Sequence, residues 1–201
     1  MRKVIIGVLA LQGDFEAHEK MIRSLPDTET AFIRSASELD AVQGLVIPGG
    51  ESTTIGKLMI KHDLFEPIRE RVMHGMPLYG TCAGLILMAE EIEGSQQPRL
   101  GLLSVTVARN AFGRQVDSFE ANIECPAIGD EPVRGVFIRA PYVTRVGNNA
   151  EALAYYENKV VAVRQKHLLG TAFHPELTGD DRIHALFRDM VARSVHETAS
   201  K

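Results

Sequence analysis

The chain has 201 residues, of which 45% are hydrophobic and 24% charged, and its formal net charge is -4 at pH 7. This is ordinary globular composition, which excludes a disordered or fibrous protein, and the length suits one domain that we expect to span residues 1–201. We expect no nucleic acid as partner because the chain is acidic, and no membrane because no apolar run reaches about 18 residues. We expect a cytoplasmic location because two cysteines, Cys82 and Cys125, are too few for a disulfide framework.

The first half of the chain alternates short β-branched runs with helical patterns. The runs are apolar on both faces, which is typical of a parallel sheet covered by helices. The predicted strands are Val4–Leu9, Thr30–Ile33, Gly44–Ile47 and a run that begins at Leu78, and the predicted helices are Asp14–Leu25, one or two helices in Thr54–His74 with a break near residues 61–63, and Ala83–Glu91.

From Leu102 onward the pattern changes to short, partly alternating runs separated by Gly, Pro, Asn and Asp. Such runs indicate added antiparallel or mixed strands. The predicted strands are Val105–Ala108, Phe119–Glu124, Val133–Arg139 and Ala152–Tyr156, followed by a hairpin of Val160–Val163 with Leu168–Phe173, a helix at Arg182–Val195 and a frayed end from Glu197. We therefore expect an α/β protein, a three-layer α/β/α domain with a central, mostly parallel sheet and added antiparallel strands.

The segment Gly80–Gly84 places a cysteine between two glycines, in the pattern Gly-x-nucleophile-x-Gly. It joins a predicted strand to a predicted helix, so Cys82 would lie at a sharp turn where the glycines avoid clashes. The thiol would project above the sheet, and the N-terminus of the following helix favours the thiolate. The alternative is a buried structural cysteine, since free cysteine is among the most buried residue types.

A second motif, Phe173–Glu176, follows another predicted strand. Pro175 disfavours a helical conformation of His174, and side chains two apart in an extended segment project to the same side. A carboxylate beside an imidazole fixes its tautomer, and the imidazole can then deprotonate a thiol. A strand-end histidine and a solvated glutamate are the commoner interpretations of His174 and Glu176 separately, but together with Cys82 they predict a nucleophile, a general base and an orienting carboxylate.

A third segment, Ile47–Thr54, contains the consecutive glycines Gly49 and Gly50 after a buried strand. Such a turn can direct backbone N–H groups at a developing oxyanion. We predict N–H groups near Gly50 and at Ala83 as the oxyanion donors. For the segment alone, a glycine turn followed by a Ser/Thr helix cap is the better interpretation.

These three segments, in this order, resemble the class I glutamine amidotransferases, whose triad is Cys, His and Glu. Within that class the chain is most similar to the glutaminase subunits of pyridoxal 5′-phosphate synthases, from Gly7 to about Met190. The segments that carry the resemblance are Gly7–Gly13, Pro48–Thr54, Gly80–Gly84, Arg109–Phe119, Val136–Pro141 and Phe173–Thr178. The departures are conservative, such as Ala111 where serine is expected.

The resemblance implies hydrolysis of L-glutamine to glutamate and ammonia, with no cofactor. It also implies that ammonia passes to a separate, barrel-shaped synthase subunit within a large hetero-oligomer. The positions that match glutamine-binding residues are Gly50, Glu51, Ser52, Arg109, Ile138 and Arg139, and Gln12 matches a residue near the oxyanion loop and the subunit interface. We expect no metal, because no His/Cys/carboxylate cluster has ligand spacing.

The charged positions admit more than one interpretation. Arg109 or Arg139 can bind the substrate α-carboxylate bidentately, although a surface arginine is commoner. Glu51 can face the α-ammonium group or lie in the first turn of a helix, where acidic residues are favoured. Arg114 and Asp117 are predicted to stabilise a loop rather than to contact substrate.

Other functions also fit the residues. A hydrolase with the same elbow could act on another substrate, such as a γ-glutamyl peptide. A non-catalytic regulator would bind an amino acid or a partner without covalent chemistry at Cys82. Within the amidotransferases, the chain could instead serve a histidine- or tryptophan-pathway synthase.

Overall fold

The computed structural model describes residues 3–109 and 118–199. Its strands are β1 (Val4–Leu9), β2 (Thr28–Ile33), β3 (Gly44–Ile47), β4 (Leu78–Thr81), β5 (Ala89–Ile92), β6 (Leu103–Ala108), β7 (Ser118–Ile123), β8 (Val133–Ile138), β9 (Tyr142–Val146), β10 (Glu151–Tyr156), β11 (Lys159–Gln165) and β12 (Leu168–Thr171). Its helices are α1 (Phe15–Arg23), α2 (Ala36–Leu39), α3 (Ser52–Lys61), α4 (Phe65–Met73), α5 (Ala83–Met88) and α6 (Arg182–Ala199), with a 3₁₀ turn at Pro175–Leu177. Within the two described ranges, no helix combines the length and apolar character needed to cross a bilayer.

One large sheet passes through the molecule in the order β2-β1-β3-β4-β12-β11-β9-β6-β5, and β10 pairs with β11 beside this path. Neighbouring strands from β2 to β12 are parallel. The pairs β12–β11, β11–β9 and β9–β6 are antiparallel, whereas the edge pair β5–β6 is parallel. The strands β7 and β8 form a separate antiparallel pair. The predicted α/β class, with a parallel central sheet and added antiparallel strands, is confirmed.

The helices cover the parallel half of this sheet. Helices α1 and α6 pack on each other and on β1, while α5 packs on β3, β4 and β12 and is itself covered by α3. The strands β3, β4 and β12 are buried along their whole length. Their continuous burial explains the unbroken apolar runs in the sequence, because both faces of these strands lie under helices.

Several element bounds differ from the prediction. The helix predicted to reach Glu91 ends at Met88, and Ala89–Ile92 instead pairs with β6. A strand is favourable at Ala89–Ile92 because Ala89 and Ile92 are buried against the core while the two glutamates between them are exposed. The helix α2 and the strand β9 were not predicted, and α6 continues to Ala199 through the segment expected to fray.

Candidate active site

The three segments singled out by sequence follow three neighbouring strands. In the parallel register, Ile47 of β3 pairs with Gly80 of β4, and Thr81 of β4 pairs with Thr171 of β12. Residues just after β3, β4 and β12 therefore lie at the same carboxyl edge of the sheet. This edge is where ligands bind in open α/β sheets.

Cys82 lies at the turn between β4 and α5 with φ 49° and ψ -100°. A non-glycine residue in such a conformation costs about 1–3 kcal/mol and is held by its surroundings. The backbone N–H of Cys82 donates to the Thr171 carbonyl oxygen at 2.8 Å, which ties the turn to β12. The side chain is only 7% exposed, and its Sγ lies 3.9 Å from the Ile138 carbonyl oxygen.

The glycines on both sides of Cys82 are required by close backbone contacts. A Cβ atom at Gly80 would lie 2.5 Å from the Gly84 carbonyl carbon. A Cβ atom at Gly84 would lie 2.1 Å from the Ile47 carbonyl oxygen. The turn therefore has the packing of a nucleophile elbow, in which only glycine fits next to the strained residue.

His174 and Glu176 contact each other directly. The backbone of His174 is extended, with φ -106° and ψ 90°, and its N–H donates to the Val136 carbonyl oxygen at 2.8 Å. Its Nδ1 lies 2.7 Å from Glu176 Oε1. The extended segment expected beyond His174 is wrong, because Pro175–Leu177 forms a 3₁₀ turn, and this turn brings the carboxylate beside the imidazole.

The charge states of this pair follow from burial and neighbours. Burial disfavours a charged imidazole, but hydrogen bonds with Cys82 and Glu176 outweigh it and raise the pKa of His174 to about 10. Burial also disfavours the carboxylate, while His18 and His174 more than compensate and hold the pKa of Glu176 far below its usual range. Glu176 is therefore ionised and accepts the Nδ1 proton of His174, which leaves Nε2 as the nitrogen that faces Cys82.

Two buried histidines behind Glu176 were missed by sequence reasoning. His18 of α1 has Nε2 3.2 Å from Glu176 Oε1 and 3.0 Å from Thr81 Oγ1. Its Nδ1 lies 2.9 Å from Nε2 of His184 in α6. Both histidines are fully buried. The available signal was the helical spacing, which places His18 on the same stripe of α1 as the buried Ile22.

A cavity of about 370 Å³ opens above Cys82 and His174. Its volume is within the range of small-molecule sites. Its lining includes the candidate positions Gln12, Gly50, Glu51, Ser52, Cys82, Arg109, Ile138, Arg139 and His174. Glu176 lies behind His174 rather than in the wall. Ala83 is the first residue of α5, next to Cys82, so its N–H has no intrahelical partner.

Two arginines line the cavity. Arg109 is exposed, and its Nη1 donates to Gln97 Oε1 at 2.9 Å. Arg139 is exposed after β8 and has a positive φ of 42°. The remaining segment 110–117, with Ala111, Arg114 and Asp117, lies outside the described residues.

The loop after β3 is held by side-chain hydrogen bonds. The Glu51 carboxylate accepts from the Thr53 hydroxyl and from the Thr54 N–H at 2.9 Å, so it caps α3, and these bonds lower its pKa. Of the two roles considered for Glu51, contact with the substrate α-ammonium group or a place at the start of a helix, its side chain adopts the second. Gln12 Oε1 accepts from the Glu51 N–H at 2.9 Å and connects the loop to the segment after β1.

A further polar residue missed by sequence reasoning connects the loop to Arg109. Gln97 is 8% exposed, and its Oε1 accepts from both the Ser52 hydroxyl at 3.3 Å and Arg109. Gln97 lies in an irregular segment without periodicity, so no sequence signal marked it. Its position indicates that Ser52 and Arg109 are oriented together.

The arrangement has the parts needed for acyl transfer. A thiol contacts an imidazole, a carboxylate orients that imidazole, and an N–H group at a helix start lies next to the sulfur. Such a site can attack a carbonyl carbon, stabilise the oxyanion and hydrolyse the resulting thioester. Among the described residues, no group of three or more His, Cys, Asp or Glu side chains is arranged to hold a metal ion.

Comparison with known proteins identifies a family and close relatives in sequence. Residues 8–193 match the SNO glutamine amidotransferase family. A relative from Carboxydothermus hydrogenoformans, named pyridoxal 5′-phosphate synthase subunit PdxT, is 53% identical over 94% of this chain and 99% of its own. A relative of the same name from Moorella thermoacetica is 54% identical over 92% of this chain and 98% of its own.

Solved structures are also similar. The crystal structure of a glutamine amidotransferase superposes with a TM-score of 0.88 at 46% identity and covers 93% of this chain and 98% of its own. PurLQS from Thermotoga maritima superposes with a TM-score of 0.66 at 14% identity and covers 99% of this chain and 100% of its own. The second likeness concerns the fold alone.

Proposed function

Because the chain belongs to the SNO glutamine amidotransferase family, we propose that it is the glutamine-hydrolysing subunit of a pyridoxal 5′-phosphate synthase. It converts L-glutamine to L-glutamate and ammonia and works with a synthase subunit, and residues 1–201 act as one glutamine amidotransferase domain in the cytoplasm. The observation that carries the proposal is the contact of Cys82 with the His174–Glu176 pair at the base of a cavity that contains the matched glutamine-binding positions.

Substrate binding uses the wall of the cavity. Arg109 or Arg139 binds the α-carboxylate of glutamine, and the loop Gly50–Ser52 holds the amino acid beside Cys82. The α-ammonium group then lies among acceptors of the loop. This orientation directs the side-chain amide at the sulfur, and holding the two reactants in place removes much of the entropic cost of the reaction.

Thioester formation begins at the sulfur. The Cys82 thiolate attacks the amide carbon, and the oxyanion receives hydrogen bonds from N–H groups near Gly50 and at Ala83. His174 takes the thiol proton at Nε2 and donates it to the departing nitrogen, which leaves as ammonia. Glu176 stabilises the imidazolium throughout, because it is ionised and hydrogen-bonded to Nδ1.

Hydrolysis of the thioester uses the same groups in reverse order. His174, now neutral at Nε2, removes a proton from water as the water attacks the thioester carbon. The tetrahedral intermediate collapses, the C–S bond breaks, and the sulfur regains its proton from His174. Glutamate leaves, and the triad returns to its starting state.

Ammonia passes from this site to the barrel-shaped synthase subunit in a large hetero-oligomer. Two apolar side chains of the cavity wall support a partner at its mouth. Ile138 is 37% exposed and Leu177 is 42% exposed. A partner over the mouth would bury both and would keep ammonia from solvent.

The proposal is tested by mixing the purified chain with synthase subunits from the pyridoxal 5′-phosphate, histidine and tryptophan pathways and measuring glutamate release. We expect the first to give the highest rate, Cys82→Ala to abolish turnover, and Cys125→Ala, which changes a buried thiol away from the cavity, to keep it. Hydrolysis of γ-glutamyl peptides in preference to glutamine, or ammonia release by Cys82→Ala, would contradict the proposal.

A further inference from the structure

A buried polar cluster lies on the side of Glu176 that faces away from the cavity. It consists of His18, Thr81 and His184, which are 0% exposed and make hydrogen bonds at 2.9 and 3.0 Å. None of the three lines the cavity above Cys82. Apolar side chains would fill the same space at no desolvation cost, so the cluster needs another explanation.

Both imidazoles that contact Glu176 reach the same oxygen atom. Oε1 lies 2.7 Å from His174 Nδ1 and 3.2 Å from His18 Nε2. The other oxygen, Oε2, is buried and has no hydrogen-bond partner among the described residues. The orientation of the carboxylate therefore depends on two imidazoles from different elements, His174 before the 3₁₀ turn and His18 on α1. The hydrogen at His18 Nε2 is shared between Glu176 Oε1 and Thr81 Oγ1, which lies 3.0 Å away.

The proton positions in the cluster follow from this acceptor. An ionised carboxylate only accepts hydrogen bonds, so His18 Nε2 carries a hydrogen. Burial and the neighbouring His18 lower the pKa of His184 to about 3, so His184 is neutral at physiological pH. The contact of 2.9 Å between His184 Nε2 and His18 Nδ1 holds the His18 ring in the orientation in which its Nε2 faces Glu176.

We propose that His18 is a positioning residue of the catalytic centre, which holds the Glu176 carboxylate in the orientation that His174 requires. The inference rests on the proposed glutaminase function and adds to it a residue outside the triad and outside the cavity. His184 contacts Nδ1 of His18, just as Glu176 contacts Nδ1 of His174. The side chains of His184, His18, Glu176 and His174 thus form a continuous chain of polar contacts that leads from α6 through α1 to Cys82.

Loss of the His18 donor has a defined chemical consequence. Oε1 would keep only its hydrogen bond with His174. The carboxylate group could then rotate and turn Oε2 instead of Oε1 towards His174. A buried charge that loses a partner is strongly destabilised relative to its neutral form. Glu176 would then ionise less readily and stabilise the His174 imidazolium less, so the thiolate–imidazolium pair would form at higher pH.

The test uses a matched pair of polar substitutions in the chain assembled with its synthase subunit. In His18→Gln the amide nitrogen lies as many bonds from the backbone as Nε2 and can still donate to Glu176. In His18→Asn the amide reaches only as far as Nδ1 and loses that contact. We expect His18→Asn to lower kcat about 10- to 100-fold, by analogy with the loss of groups that orient metal-ligating side chains, with KM unchanged. We expect His18→Gln to retain most of the wild-type rate.

A control separates orientation from general packing. Tyr79 is fully buried in the same region, its ring centroid lies 6.2 Å from that of His18, and its hydroxyl contacts Thr171 rather than the triad. Tyr79→Phe removes one buried hydroxyl and should keep kcat. Equal losses of kcat in Tyr79→Phe and His18→Asn would overturn the proposal, as would equal rates in His18→Asn and His18→Gln.

A second readout does not depend on glutamine. Alkylation of Cys82 by iodoacetamide is followed against pH in full-length chains that carry Cys125→Ala. The charges of Glu176 and Cys82 act on His174, and those of His18 and His174 act on Glu176. The charges of His18 and Glu176 act on His184. We expect the profile of His18→Asn to move to higher pH while that of His18→Gln stays near wild type.

The two proposals fail in different ways. If the wild-type complex releases no glutamate from glutamine, the proposed function is wrong, whatever the His18 variants do. If the wild-type complex is active and His18→Asn has the kcat and the alkylation profile of wild type, the positioning role is wrong and the glutaminase function stands.

Discussion

The two walls of the active-site cavity differ in how they are built. The inner wall is formed by His174 together with its support, namely Glu176 directly behind it and two fully buried histidines. The side chains of His174 and Glu176 are at most 8% exposed, and their contacting atoms lie 2.7 Å apart. The outer wall contains Glu51, Arg109 and Arg139, which are exposed and lie on segments that follow strands or precede a helix. The inner wall is part of the protein core, whereas the outer wall is part of its surface.

This difference assigns different tasks to the two walls. Electrostatic interactions are strongest where water is excluded, so the buried inner wall suits the proton transfers proposed for His174, whose geometry there is fixed before substrate arrives. Groups that select the substrate must be reachable from solvent, and loops at the carboxyl ends of strands provide this access. Changes to the inner wall should therefore lower kcat, and changes to the outer wall should raise KM.

The largest effect is expected at the inner wall, for Glu176→Gln. The amide preserves the shape of the side chain but presents a donor to His174, which favours the wrong tautomer. We expect kcat to fall by about 10⁴-fold, as for the equivalent change in other triads, with KM nearly unchanged. Steady-state glutaminase assays of the complex check this, and a loss expressed mainly in KM would contradict the division between the walls.

A change in the backbone support of the inner wall should have the next largest effect. In Gly84→Ala the new Cβ would lie 2.1 Å from the Ile47 carbonyl oxygen, so α5 must move and take Cys82 with it. We expect a destabilisation of about 1–3 kcal/mol or more and a loss of about 100-fold in kcat from misplacement of the sulfur. Gly179→Ala is the control, because no atom lies within 4 Å of its Cβ position. Similar melting temperatures and rates for the two variants would refute the packing argument.

At the outer wall, Arg109→Gln should raise KM. A hydrogen bond to a charged group contributes about 1.5–3 kcal/mol, which corresponds to an increase of about 10- to 100-fold. We expect kcat at saturating glutamine to change little. Arg134→Gln serves as the control, because that exposed arginine pairs with Glu120 outside the cavity. A normal KM in Arg109→Gln would leave Arg139 as the carboxylate-binding group.

A smaller effect in the same direction is expected for Gln97→Leu. Arg109 would lose the acceptor that holds it at 2.9 Å, but its charge would remain in the cavity wall. Loss of one hydrogen bond of about 0.5–1.5 kcal/mol corresponds to a rise in KM of about 2- to 10-fold. The part of this effect that depends on the bond between Gln97 and Arg109 is already lost in Arg109→Gln, so the effects of the two changes on KM should be less than additive. Fully additive effects would argue against this coupling.

The smallest effect concerns stability against pH. The pKa of His174 is raised from 6.5 to about 10, so its contribution is complete below pH 6.5 and is lost as the pH rises through 10. The pKa of Glu176 is lowered from 4.5, so its contribution is complete above pH 4.5 and is lost in acid. We expect the difference in melting temperature between wild type and Glu176→Gln to be largest between pH 4.5 and pH 6.5 and to shrink as the pH rises towards 10. A difference that grows with pH in scanning calorimetry would contradict the charge states assigned to the inner wall.

Local features of the site were accessible from sequence alone. The turn at Cys82 was predicted because glycines two residues before and after it permit a sharp bend, and the extended conformation of His174 was predicted from Pro175. Both depend on neighbours in the chain. The helix predicted to continue to Glu91 was wrong because pairing with β6, a contact distant in sequence, decided the conformation of Ala89–Ile92.

The sequence by itself determined which groups are chemically competent, namely a cysteine in an elbow, a histidine before proline and a carboxylate two residues later. It also determined the family, through segments that hold their order along the chain. Only the tertiary structure placed β3, β4 and β12 side by side, so that their carboxyl ends share one cavity. It also placed His18 and Gln97 against Glu176 and Arg109. The physical reason is that local conformation depends on nearby residues, whereas strand order and buried hydrogen bonds between distant residues depend on how the whole chain packs.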